Sequence, residues 1–312
     1  MKKIIAAALL SFSLNSFADN APLWLRFCSI SPDGQTIAFS YKGDLFSVPV
    51  NGGIAKQLTT NPAYDAYPIW SPDGQKIAFA STREGSMDIY LMNKNGGVPK
   101  RLTTNSGSEI PMAFTDNNHV LFSSAIMPTA KSIFFASGTF PQTYEVNIDA
   151  SRPRLYSPIT MCDANVKSNG DILYHDVKGY EDNFRKHHRS PVTRDIWLYS
   201  KGNYTKLTNF DGEDRTPVWG NNTNEYYYLS EEDGTFNVYK RNIDGSGKKQ
   251  LTFHKANPVR FLTVANNGTI CYGYDGEIYT LKDGQQPKKV DITIVTDQID
   301  NDLVRQVRTS GA

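Results

Sequence analysis

The pentapeptide Ser31-Pro32-Asp33-Gly34-Gln35 recurs 40 residues later as Ser71-Pro72-Asp73-Gly74-Gln75, and each copy is followed by the same apolar segment, Ile-Ala-Phe, at residues 37–39 and 77–79. Pro-Asp-Gly is typical of a hairpin turn, because proline presets φ, aspartate caps the turn and glycine adopts a positive φ. We therefore interpret both copies as turns between antiparallel strands, with Asp33 and Asp73 as turn caps.

The repeat continues along the chain. At an offset of 149 residues, eight residues between Asp65 and Thr103 match residues between Asp214 and Thr252 without a gap. The start of the third strand of each unit recurs at Asp44, Asp88, Gln142, Asp195, Asn237 and Glu277, with spacings of 44, 54, 53, 42 and 40 residues. Four-stranded units of this length are typical of β-propellers. The sequence predicts an all-β fold, a six-bladed β-propeller of four-stranded antiparallel blades.

Two further structural expectations follow from the repeat. Because the first and the last unit each hold four strands of their own, we expect the first and last blades to meet without strand exchange. We also expect Asp44, Asp88 and Asp195 to be structural, with their carboxylates bonded to N–H groups of the preceding turn.

Three carboxylates are candidates for one mouth of the central channel: Asp65, Glu109 and Asp214. Each lies shortly before the aromatic residue of strand one, and the first strand of a propeller blade lines the channel. Simple loop capping is the alternative interpretation.

The N-terminus has the pattern of a secretory signal peptide. Lys2 and Lys3 precede an 11-residue apolar segment, Ile4 to Leu14, and Ser16-Phe17-Ala18 fits a signal peptidase site. The sequence predicts a signal peptide at 1–18, a propeller at 19–294, and a linker at 295–312 that begins a missing downstream region. We expect a periplasmic or secreted protein; a short membrane anchor is the alternative.

Composition and motifs exclude several function classes. The chain has 33 basic and 32 acidic residues, so no electrostatic feature favours nucleic acid, and we expect no membrane partner for the mature form. The three cysteines are far apart, and the five histidines do not have metal-ligand spacing, so we expect no metal and no cofactor. No Gly-x-Ser-x-Gly motif occurs, and no catalytic residue is predicted.

One insertion breaks the repeat in the fourth unit. It carries five consecutive cationic or potentially cationic residues: Arg185, Lys186, His187, His188 and Arg189. A solvated charged loop is one interpretation. The functional interpretation is an anion site that binds a peptide carboxylate, since arginine offers a two-pronged donor to carboxylates.

The segments 180–197 and 212–219, together with the signal peptide, resemble the N-terminal six-bladed propeller of exported tricorn-type serine peptidases. The resemblance implies that the full enzymes continue into a second propeller, a PDZ domain and a catalytic domain, which hold the catalytic Ser and His. It also implies that the propellers filter peptides, and that an adjacent arginine pair holds the substrate's C-terminal carboxylate. This sequence has no Arg-Arg pair, so residues 185–189 are the candidate on charge alone.

We therefore expect a non-catalytic propeller module that gates or binds peptides for a peptidase domain absent from this chain. The expected partners are peptides or that downstream domain, with homo-oligomers possible through the full-length enzyme. The alternative is a stand-alone TolB-like periplasmic propeller that binds protein partners. A propeller enzyme acting on glycans, or one attached to an α/β-hydrolase peptidase, is a third and less favoured interpretation.

Overall fold

A computed structural model describes residues 22–126, 141–179, 189–221 and 224–295. All regular elements in these ranges are β-strands. A search of the same ranges finds no helix long and apolar enough to cross a membrane. The predicted signal segment lies outside the described residues, as does the predicted linker apart from Val295.

Six four-stranded antiparallel sheets follow one another along the chain, which confirms the predicted fold. Blade one contains β1 (Arg26–Ile30), β2 (Thr36–Tyr41), β3 (Asp44–Pro49) and β4 (Gly53–Gln57). Blade two contains β5 (Asp65–Trp70), β6 (Lys76–Glu84), β7 (Ser86–Asn93) and β8 (Gly96–Arg101). Blade three contains β9 (Glu109–Asp116), β10 (His119–Ser124), β11 (Gln142–Asn147) and β12 (Arg154–Ser157).

The second half of the ring has the same organisation. Blade four contains β13 (Cys162–Val166), β14 (Ile172–His175), β15 (Ile196–Ser200) and β16 (Asn203–Lys206). Blade five contains β17 (Asp214–Trp219), β18 (Glu225–Ser230), β19 (Asn237–Asn242) and β20 (Lys249–Gln250). Blade six contains β21 (Arg260–Val264), β22 (Ile270–Tyr274), β23 (Glu277–Leu281) and β24 (Lys288–Lys289).

The Pro-Asp-Gly turns are built as predicted. The Asp33 carboxylate accepts hydrogen bonds from the Ser31 hydroxyl at 2.5 Å and from the Gln35 N–H at 3.0 Å, and φ of Gly34 is +72°. Asp73 makes the same two bonds in blade two. These bonds lower the pKa of both carboxyl groups, the serine bond most, so both aspartates are turn caps.

The blades form a closed ring. The first strand of each blade contacts the first strands of the two neighbouring blades, so the first strands make the inner wall. The apolar core is divided into six clusters, and each cluster fills one junction between neighbouring blades. Trp70 lies at such a junction, where its indole N–H donates to the Ser29 carbonyl oxygen at 2.9 Å. The stability of the ring therefore comes from side chains packed between sheets.

The expectation that the ring closes without strand exchange is wrong. A short strand after blade six, β25 (Ile292–Ile294), returns to blade one and pairs in parallel with β4. It gives blade one a fifth, outermost strand. Gly52 permits the approach: the Gly53 N–H donates to the Asp291 carbonyl oxygen at 2.8 Å, and a Cβ at Gly52 would lie 2.4 Å from that oxygen. Sequence counting missed the strand because each blade is already complete without it.

The aspartates at the start of strand three are structural, and each has a partner among the side chains of strand four. Asp44 accepts from Gln57 at 2.9 Å, Asp88 pairs with Arg101 at 2.7 Å, and Asp195 pairs with Lys206 at 2.9 Å. These partners occupy equivalent places at the end of strand four. Each aspartate thus makes a side-chain link between strands three and four, and the expected bonds to N–H groups of the preceding turn stay a prediction.

Candidate functional site

The three carboxylates predicted at the channel mouth occupy equivalent places. Asp65, Glu109 and Asp214 open strand one of blades two, three and five, and each lies opposite a serine of strand two in the antiparallel register. All three are buried, with exposed fractions of 0%, 0% and 2%. Their role at a channel mouth stays a prediction, and their burial means that any ligand must reach them through neighbouring side chains.

The three carboxylates have different surroundings. Asp65 pairs with Arg83 at 2.8 Å. Burial raises the pKa of Glu109 from 4.5 to about 7, and the hydroxyl of Thr103 opposes this rise only in part. Burial also raises the pKa of Asp214, from 3.8 to about 6. Glu109 and Asp214 are therefore easier to protonate than ordinary carboxylates.

The basic insertion is described only at its end. Arg185, Lys186, His187 and His188 lie outside the described residues, whereas Arg189 is described and exposed. Arg189 lines a cleft of about 330 Å³ between blades four and five. The cleft also contains Asp214, so the structure brings together one residue from each of the two predicted sites.

The cleft is strongly polar, and its lining holds three cations and three carboxylates: Arg189, Arg241 and Lys248, and Asp211, Asp214 and Glu232. Lys248 is paired with Glu232. The Arg241 guanidinium donates to two carbonyl oxygens, of Gly245 at 2.9 Å and Leu207 at 3.0 Å. Neither Arg189 nor Arg241 forms an ion pair with a carboxylate among the residues placed in the structure. These two guanidinium groups are the candidate anion ligands of the cleft.

The inner ends of blades four and five hold a second polar cluster. The His175 imidazole lies 3.6 Å from the Asp163 carboxylate and hydrogen-bonds Arg194 at 3.2 Å. Cys162 is the cross-strand neighbour of His175. This group looks like a Cys-His-Asp constellation, but burial raises the pKa of the Cys162 thiol to about 12 and lowers that of His175 to about 4. A thiol that resists ionisation beside a histidine that resists protonation is the reverse of an activated pair.

No candidate metal site is found in the described part of the chain. Within residues 22–126, 141–179, 189–221 and 224–295, no three His, Cys, Asp or Glu side chains are grouped as they would be around a metal ion.

Sequence reasoning missed most of the cleft. Arg241 and Lys248 are ordinary strand and turn residues of blade five, and nothing in their local sequence indicates a site. The one usable signal was the insertion itself, which places Arg189 over the neighbouring blade. The other cleft residues could be found only once the order of the blades around the ring was known.

Comparison with known proteins identifies relatives over nearly the whole propeller. The sequence profile of the family described as "Tricorn protease N-terminal beta propeller domain" matches residues 22–287. Tricorn protease homolog 1 of Streptomyces coelicolor is 25% identical over 286 residues, which cover 90% of this chain and 26% of the relative. The chain thus spans about a quarter of the length of that relative.

Comparison with solved structures also finds the tricorn protease among the similar proteins. The crystal structure of the tricorn protease superposes with a TM-score of 0.74 at 21% identity, covering 89% of this chain and 27% of that one. The crystal structure of TolB from Acinetobacter baumannii superposes with a TM-score of 0.61 at 14% identity, covering 86% of this chain and 65% of that one. Sequence similarity to a TolB protein is shorter: a TolB homolog of Chlorobium luteolum is 33% identical over 58 residues, 19% of this chain and 13% of the relative. At this level of identity the structural likeness shows the fold.

Proposed function

The chain belongs to the family of tricorn protease N-terminal β-propeller domains, and from that premise we propose that it is the non-catalytic, peptide-handling module of an exported tricorn-type serine peptidase. In this proposal the module binds or gates peptides for a catalytic region outside these residues. The signal-peptide pattern at 1–18 supports export to the periplasm or the cell exterior. Assembly into homo-oligomers would occur through the full-length enzyme.

The cleft between blades four and five carries the proposal. Arg189 and Arg241 both line it, and neither is paired with a carboxylate among the described residues. A peptide's C-terminal carboxylate is the ligand that we propose for these two arginines, since the guanidinium group offers parallel N–H donors to such a group. Arg189 is the exposed member, so it is the residue that an incoming peptide meets first.

The TolB-like alternative has less support. The matched segment of the TolB homolog covers about a fifth of this chain, whereas the tricorn relative matches nine-tenths of it. Reading the DNA beyond codon 312 separates the two proposals, because an in-frame peptidase region is expected only by the first.

Calorimetry with a free-acid peptide and its C-terminal amide tests the cleft. We expect the free acid to bind more tightly, and Arg189→Ala to weaken its binding by about 1.5–3 kcal/mol, the value of one charged hydrogen bond. The matched control is Arg152→Ala, which removes an exposed arginine from blade three and should leave binding unchanged. Equal affinity for acid and amide would remove the carboxylate site from the proposal.

A further inference from the structure

Strand one is irregular in every blade. Its pairing with strand two is interrupted by a bulge in all six sheets. In five blades a bulge residue other than glycine has a positive φ, between +49° and +58°; these residues are Phe27, Tyr67, Asp163, Thr216 and Phe261. Such backbone conformations are costly for residues with a side chain, and a bulge re-aims the side chain it carries.

These five residues occupy equivalent places on the inner wall of the ring, and we call them the collar. One half of the collar is aromatic. The Phe27 ring centroid lies 4.0 Å from that of Tyr67 and 4.9 Å from that of Phe261, so rings from blades six, one and two are in contact. All three side chains are only half-buried. An apolar surface made of three rings is thus presented to the channel.

The opposite half of the collar is polar. The Asp163 side chain is 50% exposed, and its carboxylate accepts the Thr216 hydroxyl at 2.7 Å. Of the charged groups around Asp163 and His175, burial lowers the pKa of His175 to about 4, and Arg215 is bonded to Glu213 at 2.5 Å. Arg194 donates to His175. Blades four and five therefore contribute a carboxylate with a hydroxyl beside it.

The two halves lie at one level of the inner wall, because their residues occupy equivalent bulges and the first strands of neighbouring blades are in contact. The pKa of Tyr67 is raised chiefly by burial, and the negative charges of Tyr64 and Asp163 add to the rise. The positive charge of Arg26 acts in the opposite direction and more weakly. Tyr67 belongs to blade two and Asp163 to blade four, which are not neighbours in the ring. The interaction between them therefore crosses the channel.

We propose that the collar binds an alkylammonium group of an extended peptide, with the ammonium at Asp163 and its methylene chain against Phe27, Tyr67 and Phe261. Aromatic faces attract cations through the ring quadrupole, and a carboxylate gives the same group an ion pair. A lysine side chain and a peptide α-ammonium share this chemistry. The inference deepens the proposed peptide-handling function and rests on it, but it concerns a different part of the ring from the Arg189 cleft.

The test uses an N-acetylated, C-amidated short peptide with one lysine, and a matched peptide in which norleucine replaces the lysine. Neither has a carboxylate or an α-ammonium, so the Arg189 cleft cannot account for a difference between them. We expect the lysine peptide to bind about tenfold more tightly in calorimetry, the ratio expected from one charged hydrogen bond. A norleucine peptide with a free N-terminus shows whether the collar also binds a peptide α-ammonium group.

Asp163→Asn assigns the preference to the collar, because asparagine keeps the shape and an acceptor for Thr216. We expect it to remove the tenfold preference, whereas Asp149→Asn, at an exposed turn of blade three, retains it. Phe27→Leu should weaken the lysine peptide while leaving Asp163 in place. Lysine and norleucine peptides that bind equally, or not at all, would overturn the proposal, as would an Asp163→Asn variant that still prefers lysine. If free-acid and amidated peptides bind equally while the lysine peptide still binds more tightly than the norleucine peptide, only the proposed carboxylate site at the Arg189 cleft is contradicted.

Discussion

Replacing Thr59 with valine removes a hydroxyl that ties the end of blade one to its third strand. The Thr59 Oγ1 accepts the Leu45 N–H at 2.9 Å and donates to the Asp44 carboxylate at 3.0 Å. The side chain is 4% exposed, and valine has almost the same shape, so little packing is lost. Thr103, Thr208 and Thr252 accept the equivalent N–H in blades two, four and five. The substitution therefore tests a device that the repeat uses in four blades.

The magnitude follows from the two bonds. A buried donor that loses its partner costs about 1–3 kcal/mol, and a hydrogen bond to a carboxylate contributes about as much. Allowing for relaxation around the site, we expect Thr59→Val to lower the free energy of unfolding by about 2–4 kcal/mol. For a domain of this size, each kcal/mol corresponds to roughly 2–4 °C in the melting temperature. The expected decrease is thus about 4–16 °C.

Thermal and urea unfolding of the purified chain, followed by circular dichroism, measure the change. Thr60 is the matched control, because it is the next residue and is exposed. Thr60→Val should stay within about 0.5 kcal/mol of the unmodified chain. Thr59→Ser keeps the hydroxyl and should recover most of the loss. If Thr59→Val is no less stable than Thr60→Val, the hydroxyl does not tie these strands together.

Two other predictions follow from burial and from ring closure. The pKa of Glu109 is raised to about 7, so its ionisation destabilises the fold increasingly between about pH 4.5 and 7. In urea unfolding, the Glu109→Gln variant should therefore gain stability relative to the unmodified chain as the pH rises through that range. A difference in stability that stays constant from pH 5 to 8 would contradict this. Gly52→Ala should release β25 and speed tryptic cleavage at Lys288 and Lys289 more than Gly53→Ala does. The reason is that a Cβ atom at Gly52 would lie 2.4 Å from the Asp291 carbonyl oxygen, whereas a Cβ atom at Gly53 meets nothing. Equal cleavage rates in the two variants would refute the closure by β25.

The electrostatics of the candidate site were largely hidden from the sequence. The pattern marked Glu109 and Asp214 as equivalent carboxylates, and the structure gives them equivalent positions. Their burial, and with it their raised pKa values, depends on how tightly the neighbouring blade packs, which no local pattern reports. Likewise, Arg189 was visible as part of a charged insertion, but its proximity to Asp214 and Arg241 depends on how blades four and five meet.

What the sequence by itself determined is the local architecture. The hairpin turns at Asp33 and Asp73, the number of blades and the start of each third strand were all readable, because a turn's hydrogen bonds join residues only two to five positions apart. Tertiary structure alone decided the contacts between blades. The return of β25 to β4 and the contact between the Phe27 and Phe261 rings join segments far apart in the chain. Such contacts are decided only when six sheets close into one ring, since closure sets which inner strands face each other.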